Sequence, residues 1–396
     1  MKSLFTILCL LTLTLTFANS QWTAQSSFPG QERRGAFSFT IGDKAYIGGG
    51  KADVMINDFW EYDSKTSRWT QLTNLPIGPR AWAFAFAING KGYFGCGDTT
   101  TNISTVASDF WEYDPDSDTW TRKADFEGDP RYGTFCFVLN EKAYVGTGYN
   151  GNFVVSDYWQ YDPVLDVWTE KGNYPGANLL FPGSFVLNNK AYVVGGIGGL
   201  DGISGVNLMY EYTDGSNTWK KCANYPGDAR GAGVAFAMNG KGYYGLGESQ
   251  YQFFYKDMWE YNPGTDIWTE STNLTYPGDH VSWTTSFVIG TDAYICTGAS
   301  FSGMSVEVVD SIYKYSFPPT QVNEVSINDE IYISPNPVSD EIKINGAENQ
   351  IIKIFTSEGI KILETRYNGS LDLSSFANGL YFLNANGKNY KFVIFK

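Results

Sequence analysis

Four arginines recur at one fixed place in the sequence. Arg33, Arg80, Arg131 and Arg230 each stand thirteen residues before a tyrosine: Tyr46, Tyr93, Tyr144 and Tyr243. A guanidinium presents a planar fork of donors that fits a carboxylate two bonds at a time. Four of them around one opening would hold the acidic groups of a sugar or peptide. The same recurrence has a structural reading, in which each arginine pairs with an acidic neighbour in its own segment. Two further segments carry Leu179 and Val281 at this place, the latter beside His280, the only histidine. Two positions further on, Trp82, Phe181 and Trp283 alternate with Gly35, Gly133 and Ala232. Three flat rings suit stacking on sugar faces or apolar side chains. Large residues set against small ones also suit packing between neighbouring units.

Other chemistries lack their parts. With one histidine, a copper or zinc site built from imidazoles has too few ligands, and no cofactor is expected. A Ser-His-Asp triad would depend on His280 alone, and neither a Gly-x-Ser-x-Gly turn nor a phosphate loop is present. Asp114, Asp116 and Asp118 have the spacing that opens a calcium loop, but no glycine and distal glutamate follow, so a solvated hairpin turn is the better reading. Cys96, Cys136, Cys222 and Cys296 form no Cys-x-x-Cys pair. Their disulfide state is not fixed by the sequence.

The elements that position these residues follow from a repeat. Trp22, Trp69, Trp120, Trp168, Trp219 and Trp268 are 47, 51, 48, 51 and 49 residues apart. Nine residues before five of them stand Trp60, Trp111, Trp159, Tyr210 and Trp259, each followed two places on by a tyrosine. A second tyrosine precedes a glycine-rich step: Tyr46, Tyr93, Tyr144, Tyr192, Tyr243 and Tyr294. Seven residues before each of these lies a phenylalanine, Phe39 through Phe287. These markers divide each unit into four short strands with period-two alternation. Asn89-Gly90 and Asn239-Gly240 suit the tight turn between the first two strands. A four-stranded sheet of this size cannot bury both faces alone, so six such units are expected to stack around a ring. The arginine and aromatic positions then begin the innermost strands, at one rim of a central channel.

The ends of the array fit together. The sixth unit has Tyr313-Lys314-Tyr315 but no tryptophan strand of its own, and Gln21-Trp22-Thr23 supplies one at the front. The leading strand is therefore expected to complete the last sheet and remove its open edge.

Over residues 21–317 these marks resemble the kelch repeat family. The resemblance implies an all-β, six-bladed kelch-type β-propeller. Cys96, Thr147, Leu246 and Thr297 replace the first glycine of the family's pair, and Tyr210 replaces a tryptophan. Kelch propellers resemble galactose oxidase, whose copper centre uses two histidines and a tyrosine crosslinked to cysteine, a set this chain cannot reproduce. Some six-bladed kelch proteins catalyse sialic-acid anomer exchange, which needs positioned acid and base groups with arginines for the substrate carboxylate.

Aromatic residues make up 17% of the chain, beside 43 glycines, a composition suited to short strands and tight turns. The net charge of −14 argues against nucleic acid and anionic membranes as partners. Residues 1–20 read as a signal peptide: Lys2, an apolar run from Leu4 to Phe17, then Ala18-Asn19-Ser20. No other segment is expected to span a membrane. Pro318-Pro319 opens a polar linker over 318–330. Residues 331–396 change to short Ile-, Lys- and Phe-rich strands that suggest a small C-terminal β-sandwich. Ser334-Pro335-Asn336-Pro337, Ser357-Glu358-Gly359, Gly379-Leu380-Tyr381 and the lysine-bearing last strand resemble the C-terminal sorting domain of Bacteroidetes proteins exported by type IX secretion. That implies transit through the periplasm to the cell surface or beyond, with the type IX machinery as a partner. The expected function is a secreted binding protein that recognises a glycan or an extracellular protein through the central funnel. The candidate contacts are Arg33, Arg80, Arg131, Arg230, Trp82, Phe181, Trp283 and His280. The alternative is a sugar-active enzyme of the sialic-acid mutarotase type.

Overall fold

A computed structural model describes residues 21–99, 105–198, 204–249, 253–271, 274–302 and 305–316, and most of 332–395. The expected leader over 1–20, the linker, Pro337 and Ser357-Glu358-Gly359 lie outside the described residues. The chain divides into two compact units, Met1–Pro318 and Pro319–Lys396.

The first unit contains six four-stranded antiparallel sheets, which are the blades of a β-propeller. Blade 1 runs Phe37–Ile41, Lys44–Gly48, Phe59–Asp63, Arg68–Gln71. Blades 2 to 5 begin with Phe84–Ile88, Phe135–Leu139, Gly183–Leu187 and Val234–Met238. Blade 6 takes Thr285–Ile289, Asp292–Cys296 and Ile312–Ser316 from the end of the unit and Gln21–Ala24 from its start. Its register sets Trp22 opposite Tyr315 and Ala24 opposite Tyr313. Trp22 packs 5.7 Å from the Tyr276 ring and 5.2 Å from Tyr315, and its indole N–H donates to the Leu274 carbonyl at 3.2 Å.

The repeat's aromatics are the glue between blades. Phe59 of blade 1 meets Tyr113 and Trp120 of blade 2 at 4.8 and 4.9 Å, and Phe110 of blade 2 meets Tyr161 and Trp168 of blade 3 at 4.7 and 5.2 Å. Such edge-on pairs add attraction beyond the apolar area they bury. Asp118 ties the blades from the far side. Its carboxylate accepts from the Tyr113 hydroxyl and from the Thr73 backbone N–H, which closes blade 1. The aspartate triplet therefore sits in the hairpin turn, and Asp118 adds an inter-blade tie that the sequence reading did not anticipate.

Two closed rings of backbone hydrogen bonds seal the centre. In the first, the N–H of Gly35, Trp82, Gly133, Phe181, Ala232 and Trp283 each donates to the carbonyl of its counterpart in the preceding blade, and Gly35 closes the circle onto Trp283. In the second, Gly50, Gly97, Gly148, Gly196, Gly247 and Gly298 each donate to the residue at the arginine position of the following blade. This second ring explains why one glycine of each pair never varies. Its φ lies between 82° and 122°, a region closed to side chains, whereas the preceding residue sits near 60°, where Cys96, Thr147 and Leu246 are tolerated.

The four cysteines among the described residues, Cys96, Cys136, Cys222 and Cys296, are all free. Cys96 is fully buried, and burial pushes its thiol up to about 12.

The second unit stacks a three-stranded sheet (Tyr332–Ser334, Glu341–Asn345, Leu371–Asp372) and a four-stranded sheet ordered Lys361–Arg366, Ile351–Thr356, Gly379–Ala385, Lys388–Ile394. Ile342, Ile344, Ile352, Ile354, Leu383 and Phe392 fill its core.

Candidate functional site at the channel mouth

The four predicted arginines do not face the channel. Arg33 and Arg131 are 0% exposed, and Arg80 and Arg230 are also buried. Each forms a two-pronged pair with the aspartate that opens the third strand of its own blade: Asp58, Asp109, Asp157 and Asp257. Each also donates to the carbonyl of the left-handed residue before the invariant glycine, as Arg33 does to Gly49 at 2.9 Å and Arg80 to Cys96 at 3.0 Å. Phe28 and Phe126 cover the guanidiniums of Arg33 and Arg131 at 4.6 and 5.0 Å. Burial opposes ionisation of Asp157, but the hydrogen bonds and charge of Arg131 outweigh it and hold the carboxyl below its usual range. These arginines are struts, which corrects the expectation that they bind ligand. The two blades without them bear this out. Blade 4 has Leu179 and Leu208 where the others have Arg and Asp, and blade 6 has Val281 and Ser311. Both partners change together because either charge left alone would be buried unpaired.

The predicted aromatics do converge. Trp82, Phe181 and Trp283 line a cavity of about 140 Å³ on the axis, together with Gly35, Gly133 and Ala232. Trp82 and Phe181 approach to 6.1 Å across the blade between them. The alternation with small residues also serves packing: a Cβ added at Gly35 would lie 2.3 Å from the Trp82 indole nitrogen. All three aromatics hold left-handed φ values of 51° to 55°. The small residues of the same ring share this conformation at 53° to 69°, so it is set by the closed backbone ring in every blade. His280 is exposed and does not line this cavity.

Sequence reading missed the residues that give the mouth its polarity. One column lies between the arginine and aromatic positions: Arg34, Ala81, Tyr132, Leu180, Gly231, Ser282. Within each blade it pairs, in antiparallel backbone register, with a second column just after the invariant glycine: Lys51, Asp98, Tyr149, Ile197, Glu248, Ala299. Neither column repeats in type, and that non-repetition was the available signal. Arg34 lies 4.8 Å over the Trp283 ring, and Lys51 5.9 Å over Trp82. Glu248 is only 7% exposed, and its Oε2 has no protein partner. Burial pushes its carboxyl up to about 7, against the opposing pull of Arg34 and Ser282. The mouth thus holds cations, aromatic faces and one carboxyl able to exchange a proton near neutrality. Among the described residues, no group of three or more His, Cys, Asp or Glu side chains is arranged to hold a metal ion.

The raised Glu248 carboxyl has a consequence for stability. Between its usual value of 4.5 and about 7, the folded chain keeps a proton that the unfolded chain has released. Its contribution is complete below that window and is lost as pH rises through it. Glu248→Gln is expected to flatten the fall in melting temperature between about pH 5 and about pH 8. Calorimetry across that range checks this, and an unchanged slope would refute it.

Residues 331–395 match the family described as the secretion system C-terminal sorting domain. This segment is a type IX sorting domain, which directs the chain to the cell surface or outside. The propeller is similar to a solved structure described as that of YjhT, at 20% identity and a TM-score of 0.63, covering 72% of this chain and 95% of that one. At that identity the likeness shows the fold alone. No curated protein matches the chain. No helix among the described residues is long and apolar enough to cross a membrane.

Proposed function

We propose that this secreted propeller is a binding protein that takes a glycan, or a segment of an extracellular protein, into its channel mouth. The observation that carries this reading is convergence. The positions that break the six-fold repeat (Arg34, Lys51, Glu248 and the aromatic trio) all meet at one opening, while the repeating residues are spent on holding the ring. Arg34 and Lys51 supply charge for an acidic group, and Trp82, Phe181 and Trp283 supply faces for stacking. Trp82→Ala is expected to weaken binding on a glycan and peptide array by about tenfold or more, since one aromatic stack is worth on the order of 1 kcal/mol beyond buried area. Arg34→Ala should remove the preference for acidic ligands. Unchanged array profiles for both variants would refute the assignment to this mouth.

Glu248 beside Arg34 favours a second reading, an enzyme that exchanges sugar anomers by proton transfer. In that case the chain accelerates mutarotation of a sialic acid by NMR, and Glu248→Gln abolishes the acceleration while leaving binding in place. Tight binding without acceleration would refute it.

A further inference from the structure

We propose that the mouth takes an oligosaccharide several rings long, carrying a carboxylate where it crosses Arg34, rather than a single sugar. This rests on the reading of the mouth as a ligand site. Two aromatic ladders descend to the floor from opposite sides of Phe181. On blade 3, Tyr132 lies 5.7 Å from Trp82 and 5.9 Å from Phe181, and Tyr149 lies 5.6 Å behind it. Tyr149 begins a hairpin whose tip is Phe153, 61% exposed. The Asn150 side-chain oxygen accepts from the backbone N–H of Asn152 and Phe153, both at 3.0 Å, and fixes the tip. On blade 5, Phe254 lies 6.3 Å from Trp283 and is paired in backbone register with Glu248. The adjoining residue, Phe253, is 65% exposed. Its carbonyl accepts from the Ser249 backbone N–H at 3.0 Å.

A lone exposed aromatic needs no explanation. Phe153 and Phe253 stand at matching places on two hairpins, and inside them Tyr149, Tyr132 and Trp82 on one side and Phe254 and Trp283 on the other follow at ring separations of 5.6 to 6.3 Å, which together form a track. Its chemistry is that of a hydroxyl-rich strand. Aromatic faces stack on the C–H faces of pyranose rings, and the polar groups set among them lack protein partners: the indole N–H groups of Trp82 and Trp283, Arg34 Nε and Glu248 Oε2. An apolar peptide would leave those groups unsatisfied, at a penalty. Arg34 and Lys51 at the floor complement a carboxylate on the strand.

The test is calorimetric titration of the full mature chain with galacturonate oligomers of one, two, four and six units, beside neutral cello-oligosaccharides of the same lengths. Affinity is expected to rise about tenfold or more from monomer to tetramer, with the charged series ahead. Phe153→Ala with Phe253→Ala, both surface changes, should remove that length-dependent gain and leave monomer affinity unaltered. Equal affinity at every length would overturn the track while leaving the mouth as a single-sugar site. No binding to either series would overturn the track outright, and the array profiles of the Trp82 and Arg34 variants would then decide the broader reading separately.

Discussion

Arg131→Leu is expected to destabilise the propeller by about 1–3 kcal/mol, less than the cost of stranding a fully buried charge because the Asp157 side chain is 23% exposed. Asp157 would keep its Trp159 contact at 2.7 Å but lose both prongs of the guanidinium. The carbonyl of Thr147, an acceptor of Arg131 at 3.3 Å, would lose that donor as well. The double variant Arg131→Leu, Asp157→Leu should recover most of the loss, because it copies the arrangement that blade 4 already uses at Leu179 and Leu208. Chemical denaturation of the three proteins checks the pattern. A single variant as stable as the parent would show that the pair bears no strain, and a double variant as unstable as the single would show that blade 4 depends on some other compensation.

Removing residues 21–25 should lower the melting temperature by several degrees and expose apolar surface to a hydrophobic dye. The deletion takes away a whole strand of blade 6, the indole bond to Leu274 and the packing on Tyr276 and Tyr315. It also leaves Ile312–Ser316 as an open edge. Trp22 is half-buried, so its apolar packing contributes about 1–2 kcal/mol beside the lost ladder. A shortened protein that melts with the parent and binds no dye would mean that the leading strand does not seal the ring.

The propeller was legible because its aromatics recur: a ring packed in every blade leaves its type at a nearly constant spacing, as Trp69, Trp120 and Trp168 do. The fourth strand of blade 6 was legible too, since Trp22 stood without a sheet and Tyr313 without a partner strand. The arginines misled for the same reason that the aromatics informed. Recurrence in four of the six sheets reports a shared structural duty, the pairing with an acidic neighbour that the sequence also allowed, and the partners Asp58 and Asp157 come from another strand of the same blade. Arg34 and Glu248 left no such trace. Each occurs once in its column, and they meet only because the ring brings blades 1 and 5 to a common axis, a closeness that no linear spacing encodes.

The pairing of Gln21–Ala24 with Ile312–Ser316 has one more implication. The first segment of the propeller to be made waits for the last before it finds a neighbour, so closure over that separation comes late in folding. A polypeptide cut short by even half a blade would deprive the leading strand of its ladder partner Ile312–Ser316 and Trp22 of the Tyr315 ring, leaving an open sheet edge. Sealing therefore makes the last blade's edge depend on a chain that has been completed through Ser316.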